Sequence, residues 1–145
     1  MAELIVWRIS EFADLDGLGG LKTPGRWHLQ GRAIVYTAEH AALAILEALV
    51  HLEVASVPPA LQLLKIRIPD DLPTTEWAGS PLPDEKRSAA WGDAWLRDAA
   101  TPLARAPSVI APGAANILIN PAHPASADIA IVDKSRHPWD RRLFR

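Results

Sequence analysis

The stretch HAALAILEALVHL, from His40 to Leu52, is the longest apolar segment of the chain, and it carries one acid, Glu47, near its middle. A membrane span needs ~20 such residues and this run supplies about a dozen, so a helix here must be covered by protein. Leu43, Leu46, Leu49 and Val50 flank Glu47, and its carboxylate therefore shares or borders the apolar face. An unpaired charge in that position is costly. The acid needs a partner, a raised pKa, or a ligand that reaches it through a cleft. A salt bridge to Arg26, or a buried face narrower than the pattern suggests, would account for it without a function.

Short segments of strand character surround this helix. Glu3 to Ile9 (ELIVWRI) and Ala33 to Ala38 (AIVYTA) are rich in β-branched and aromatic residues. The helix, read from His40 to Val54, stops at SVPP (Ser56 to Pro59), where proline cannot continue the hydrogen-bond ladder. In LQLLKIRIP, Leu64, Ile66 and Ile68 share one face and Lys65 and Arg67 the other, which is the alternation of a half-exposed strand. A proline-rich connection, DDLPTTEWAGSPLP, leads to a second helix from Asp84 to Ala99, with Trp91 and Trp95 stacked one turn apart as packing residues. Three further strands are expected at Ser108 to Ala111, Asn116 to Ile119 and Ile129 to Val132. Strands outnumber helices and do not alternate with them, so the expected fold is α+β, one domain over residues 1–145 with a mixed or antiparallel sheet and flanking helices.

Several chemistries are excluded. The net charge of −2 provides no field to attract nucleic acid or an anionic membrane. There is no cysteine for a thiolate nucleophile, a disulfide or a cysteine zinc site. The apolar run Leu4 to Trp7 is too short for the core of a signal peptide, and a soluble cytoplasmic protein is expected. The histidines at 28, 40, 51, 123 and 137 form no HExxH, and His40 and His51 lie about three turns apart on one helix, so no metal is assigned. GLGG (Gly17 to Gly20) lacks the third glycine of a nucleotide fingerprint and reads as a flexible surface loop. No serine sits in GxSxG, and one buried acid does not make a glycosidase pair.

What survives is a constellation. Arg26 ends a glycine-containing loop, Tyr36 follows on a strand, and Glu47 on the next helix; a short strand-to-helix connection would bring the last two into one cleft. With LIVWRIS, GRWHLQGRAIVYTAEHAALAILEALVHL, PSVIAPGAANILINPAHP and DRRLF in order, nearly the whole chain resembles the RES domain, the toxin of RES–Xre toxin–antitoxin systems. By position, the family's arginine matches Arg26, its tyrosine Tyr36, its glutamate Glu47 and its serine Ser108. His28 stands where the family commonly has asparagine, which bears on hydrogen bonding within that loop.

The resemblance implies a fold like that of ADP-ribosyltransferases, and an enzyme that destroys NAD⁺ until an Xre-type antitoxin masks its site. NAD⁺ would be the substrate, with no cofactor, and any DNA contact would belong to the antitoxin. In these terms Arg26 grips phosphate oxygens, Tyr36 stacks on nicotinamide or ribose, and Ser108 donates to a phosphate or ribose oxygen. Glu47 stabilises the oxocarbenium ion at ribose C1′. Water as acceptor makes an NAD⁺ glycohydrolase, phosphate an NAD⁺ phosphorylase, and a protein side chain an ADP-ribosyltransferase. A non-catalytic binding module in which Glu47 pairs with Arg26 is the alternative from another class.

Overall fold

The computed structural model describes residues 3–51, 60–79 and 84–144. Strands β1 (Leu4–Ser10), β2 (Val35–Ala38), β3 (Leu61–Ile68), β4 (Thr74–Glu76), β5 (Leu103–Pro107), β6 (Ala115–Ile119) and β7 (Ala130–His137) form one sheet in the order β4-β5-β6-β2-β1-β3-β7. Every neighbouring pair is antiparallel except β4 and β5. Helices α1 (Gly19–Lys22), α2 (Ala41–Val50) and α3 (Glu85–Asp98) flank it, in the α+β arrangement expected from the sequence.

Period-two alternation gives the sheet two apolar faces. Val6, Val35, Leu64, Ile66, Ile68 and Ile117 pack on one of them. Leu64, Ile66 and Ile68 are each 0% exposed, and burying such side chains contributes about 1.5–3 kcal/mol apiece. On the other face Ala104, Ala106 and Leu118 meet Trp95 and Leu96 of α3, while Ala38 meets Leu43 and Ala44 of α2.

The ladder lapses at the middle of the sheet. β1 pairs with β3 along its whole length but with β2 at a single position, Trp7 opposite Ala38. The Tyr36 carbonyl accepts instead from Arg8 Nη1, at 2.9 Å. This lapse separates β4-β5-β6-β2 from β1-β3-β7, and α2 packs beside it.

Several expectations are corrected. α2 ends at Val50, with His51 in a turn, and residues 52–59, which include the expected end of the helix and SVPP, lie outside the described residues. Its buried face is narrow: Leu43 and Ala44 are buried, whereas Leu46 is 41% and Val50 60% exposed. Ser108 to Ala111 is a turn and not a strand. β5 stops at Pro107, and Ser108 Oγ captures the amides of Ile110 (3.2 Å) and Ala111 (3.1 Å), which offers the backbone an alternative to a ladder. The connection after β3 contains β4, whose Thr-Thr-Glu has no apolar alternation to read. β7 continues past Val132 to His137 as an edge strand of exposed polar residues. GLGG is at the surface only in part: Leu18 and Gly19 are exposed, whereas Gly17 and Gly20 are buried, and a Cβ on Gly20 would lie 2.4 Å from the Arg32 carbonyl oxygen. Trp91 and Trp95 are packing residues as expected, both in the cluster around Trp27: Trp91 meets Trp27 and Trp77 edge-on, while Trp95 is buried and donates from Nε1 to Thr101. Among the described residues no helix is long and apolar enough to cross a membrane.

Candidate active site

A cavity of about 950 Å³ opens where β1 and β2 part, within the size range of small-molecule sites. Arg26, Tyr36 and Glu47 all line it. Glu47 follows Leu43 by four residues and Ala44 by three, so it shares the face that anchors α2 to the sheet. It is nevertheless only half-buried. The carboxylate thus borders both the core and the cavity.

Ser108 supplies the partner that the sequence argument required. Its Oγ donates to Glu47 Oε1 at 3.0 Å while accepting the two amides of its own turn. With one proton to give and two lone pairs to fill, the hydroxyl is fully engaged. Ser108 is 2% exposed, and its donor is directed at Glu47.

Arg26 is held by its backbone. Ser88 Oγ of α3 donates to the Arg26 carbonyl at 2.6 Å. The next residue, Trp27, packs edge-on against Trp77 and Trp91, with ring centroids 5.4 and 5.6 Å away. A Cβ on Gly92 would stand 1.7 Å from the Trp27 carbonyl oxygen, so α3 meets this loop where it has no side chain. The ion pair Arg32–Asp93, at 2.8 Å, adds a further tie to α3.

Tyr36 projects from β2 with its hydroxyl bonded on the protein side. The Trp27 amide donates to Oη at 3.0 Å, and His28 Nδ1 lies 2.6 Å from it. Burial pushes the phenol far above its ordinary pKa of 10.0, and the Trp27 bond offsets only part of that rise. Burial also lowers the pKa of Arg8, against the opposing pull of Asp14 and Asp16. Glu85 and Lys86, both exposed, line the cavity from the start of α3.

Three contributors escaped the sequence reading: Arg8, Asn116 and the tryptophan box around Trp27. Arg8 had left a signal, as a lone charge inside the apolar run LIVWRIS. Asn116 Nδ2 donates to the Thr37 carbonyl, a contact across strands that no local pattern announces. Among the described residues, no group of three His, Asp or Glu gathers as a metal-binding set.

Residues 5–140 match the model of the RES domain. The chain is 40% identical over 148 residues to Toxin Res of Pseudomonas putida, covering 97% of this chain and 100% of that one. It is 36% identical over 154 residues to the Prs ADP-ribosylating toxin of Sphingobium sp., covering 96% of both chains. Among solved structures, the M. tuberculosis MbcT–MbcA toxin–antitoxin complex contains a chain that superposes with a TM-score of 0.73 over 99% of this chain and 87% of its own. At 14% identity that likeness is one of fold.

Proposed function

Because the chain belongs to the RES domain family, we propose that it is the toxin of a toxin–antitoxin pair and depletes NAD⁺ by cleaving the nicotinamide–ribose bond. The observation that carries this reading is the Glu47 carboxylate, oriented by Ser108 on the wall of a cavity that Arg26 and Tyr36 also line.

In this mechanism Arg26 holds pyrophosphate oxygens through its planar fork. Tyr36 packs against the nicotinamide ribosyl group. The C1′–N bond breaks with its electron pair passing to the pyridine nitrogen, so nicotinamide leaves neutral from a cationic reactant and needs no general acid. Positive charge then develops on C1′ and the ring oxygen. A preorganised carboxylate in partly dry surroundings stabilises that charge more than bulk water does. The acceptor, water or phosphate, adds an oxygen lone pair to C1′, and in the case of water the surplus proton passes to solvent.

The partner proposed is an Xre-type antitoxin lying over the cavity. Exposed Leu29, Val50 and Val109 on the cavity's lining give such a partner apolar contacts. A second reading, transfer of ADP-ribose to a macromolecule, is favoured by the name that the Sphingobium relative carries.

Purified protein incubated with NAD⁺ in phosphate and in phosphate-free buffer tests the proposal. Free nicotinamide should appear, with ADP-ribose or its phosphate ester as the second product. NAD⁺ left intact over hours in both buffers overturns it. Labelled NAD⁺ in a cell lysate separates the second reading, since label that stays in small molecules counts against transfer.

A further inference from the structure

We infer that His28 is a positioning residue that fixes the hydrogen-bond polarity of Tyr36, so that Tyr36 Oη meets the substrate as an acceptor and not as a donor. The inference rests on the NAD⁺-cleaving reading for its catalytic consequence, but its geometry stands independently. His28 is 3% exposed, and its ring is held at both nitrogens. Nε2 lies 2.9 Å from the Thr23 carbonyl oxygen, which can only accept, so Nε2 carries a proton. In the neutral ring Nδ1 is then bare and must accept, and the proton between it and Tyr36, 2.6 Å away, belongs to the phenol.

Tyr36 Oη thereby has its proton turned toward His28 and one lone pair filled by the Trp27 amide. One lone pair remains for the cavity. The group it can take is a donor: a ribose hydroxyl or the carboxamide N–H of nicotinamide. Gly25 shows how closely this unit is packed. A Cβ there would lie 2.6 Å from Tyr36 Oη and 2.9 Å from His28 Nδ1, so any side chain at position 25 would force the pair apart.

Two substitutions divide the two contacts of the ring. In His28→Asn the side-chain Oδ1 falls near the place of Nδ1, keeping an acceptor for Tyr36 and losing the Thr23 bond. In His28→Gln the longer amide reaches toward Thr23 and leaves Tyr36 without its acceptor. The expected result is kcat/KM for NAD⁺ loss within about threefold of wild type for His28→Asn and at least about tenfold lower for His28→Gln, a factor typical of one hydrogen bond. Losses that instead track each variant's fall in melting temperature mean a purely structural histidine and overturn the inference. Nitrogen-15 spectra of the wild-type protein, with His28→Asn as the blank, should show His28 protonated at Nε2 and bare at Nδ1; the opposite tautomer, or a ring protonated at both nitrogens, overturns it as well. If wild-type protein consumes no NAD⁺, the catalytic reading fails and the tautomer still decides the polarity of Tyr36.

Discussion

Ser108 and Glu47, 61 residues apart in the chain, meet through one hydrogen bond of 3.0 Å that spends the serine's only proton on the carboxylate. Removing it in Ser108→Ala frees Glu47 to rotate and leaves the amides of Ile110 and Ala111 without their acceptor. A misplaced reacting group can cost on the order of 10²-fold in rate, and unsatisfied polar groups about 1–3 kcal/mol in stability. Both losses are expected, read as the rate of NAD⁺ consumption and as a urea midpoint.

Glu47→Gln separates charge from shape. The amide oxygen still accepts from Ser108, so stability should stay within about 0.5 kcal/mol of wild type. Turnover should fall by at least about 10²–10³-fold, because a neutral amide cannot offset positive charge at C1′ as the carboxylate does. Wild-type rates in this variant remove Glu47 from the mechanism.

Tyr36 is the chain's one tyrosine, so absorbance of the phenolate near 295 nm reports it alone. Its folded pKa is raised above the ordinary 10.0 by burial. Above pH 10 the unfolded chain therefore releases a proton that the folded chain keeps, and stability declines as pH rises. Phenolate should appear together with unfolding, not before it. A titration centred near 10 in folded protein would contradict the burial of this hydroxyl.

Gly92→Ala drives a methyl group into the Trp27 carbonyl, where neither backbone can yield cheaply. The expected cost is at or above the ~1–3 kcal/mol typical of overpacking, seen as a melting temperature lower by several degrees. Because the same loop carries Arg26, any protein that still folds should show a higher KM for NAD⁺.

Ala99 ends α3 with φ of 49°, in the left-handed region that glycine occupies without strain. Ala99→Gly relieves that strain and adds unfolded-state entropy, which partly offsets the gain. A net stabilisation of up to about 1 kcal/mol is expected by thermal or chemical denaturation, with activity unchanged.

The strands rich in isoleucine, valine and leucine were legible in the sequence, because burial leaves an alternation that a single chain displays: β3 and β6 appear almost as expected. β4 and the end of β7 were not, since an edge strand held by main-chain bonds needs no apolar pattern. Glu47 stands out in the sequence as a charge among leucines, although the helix around it is less buried than its composition suggests. The apolar Val109 and Ile110 give the segment after Ser108 the local pattern of a strand, whereas the serine hydroxyl, by taking two amides, bends the chain and reaches the acid. Arg8 could not be placed, because its role depends on β1 and β2 failing to pair, a tertiary fact.

That failure to pair implies a trade between robustness and activity. A variant whose β1 closed onto β2 would gain main-chain hydrogen bonds at the centre of the sheet and lose the space that Arg26, Tyr36 and Glu47 surround. Selection for heat resistance alone should therefore drift toward a sturdier protein with a closed seam, in which the proposed substrate has no place to bind.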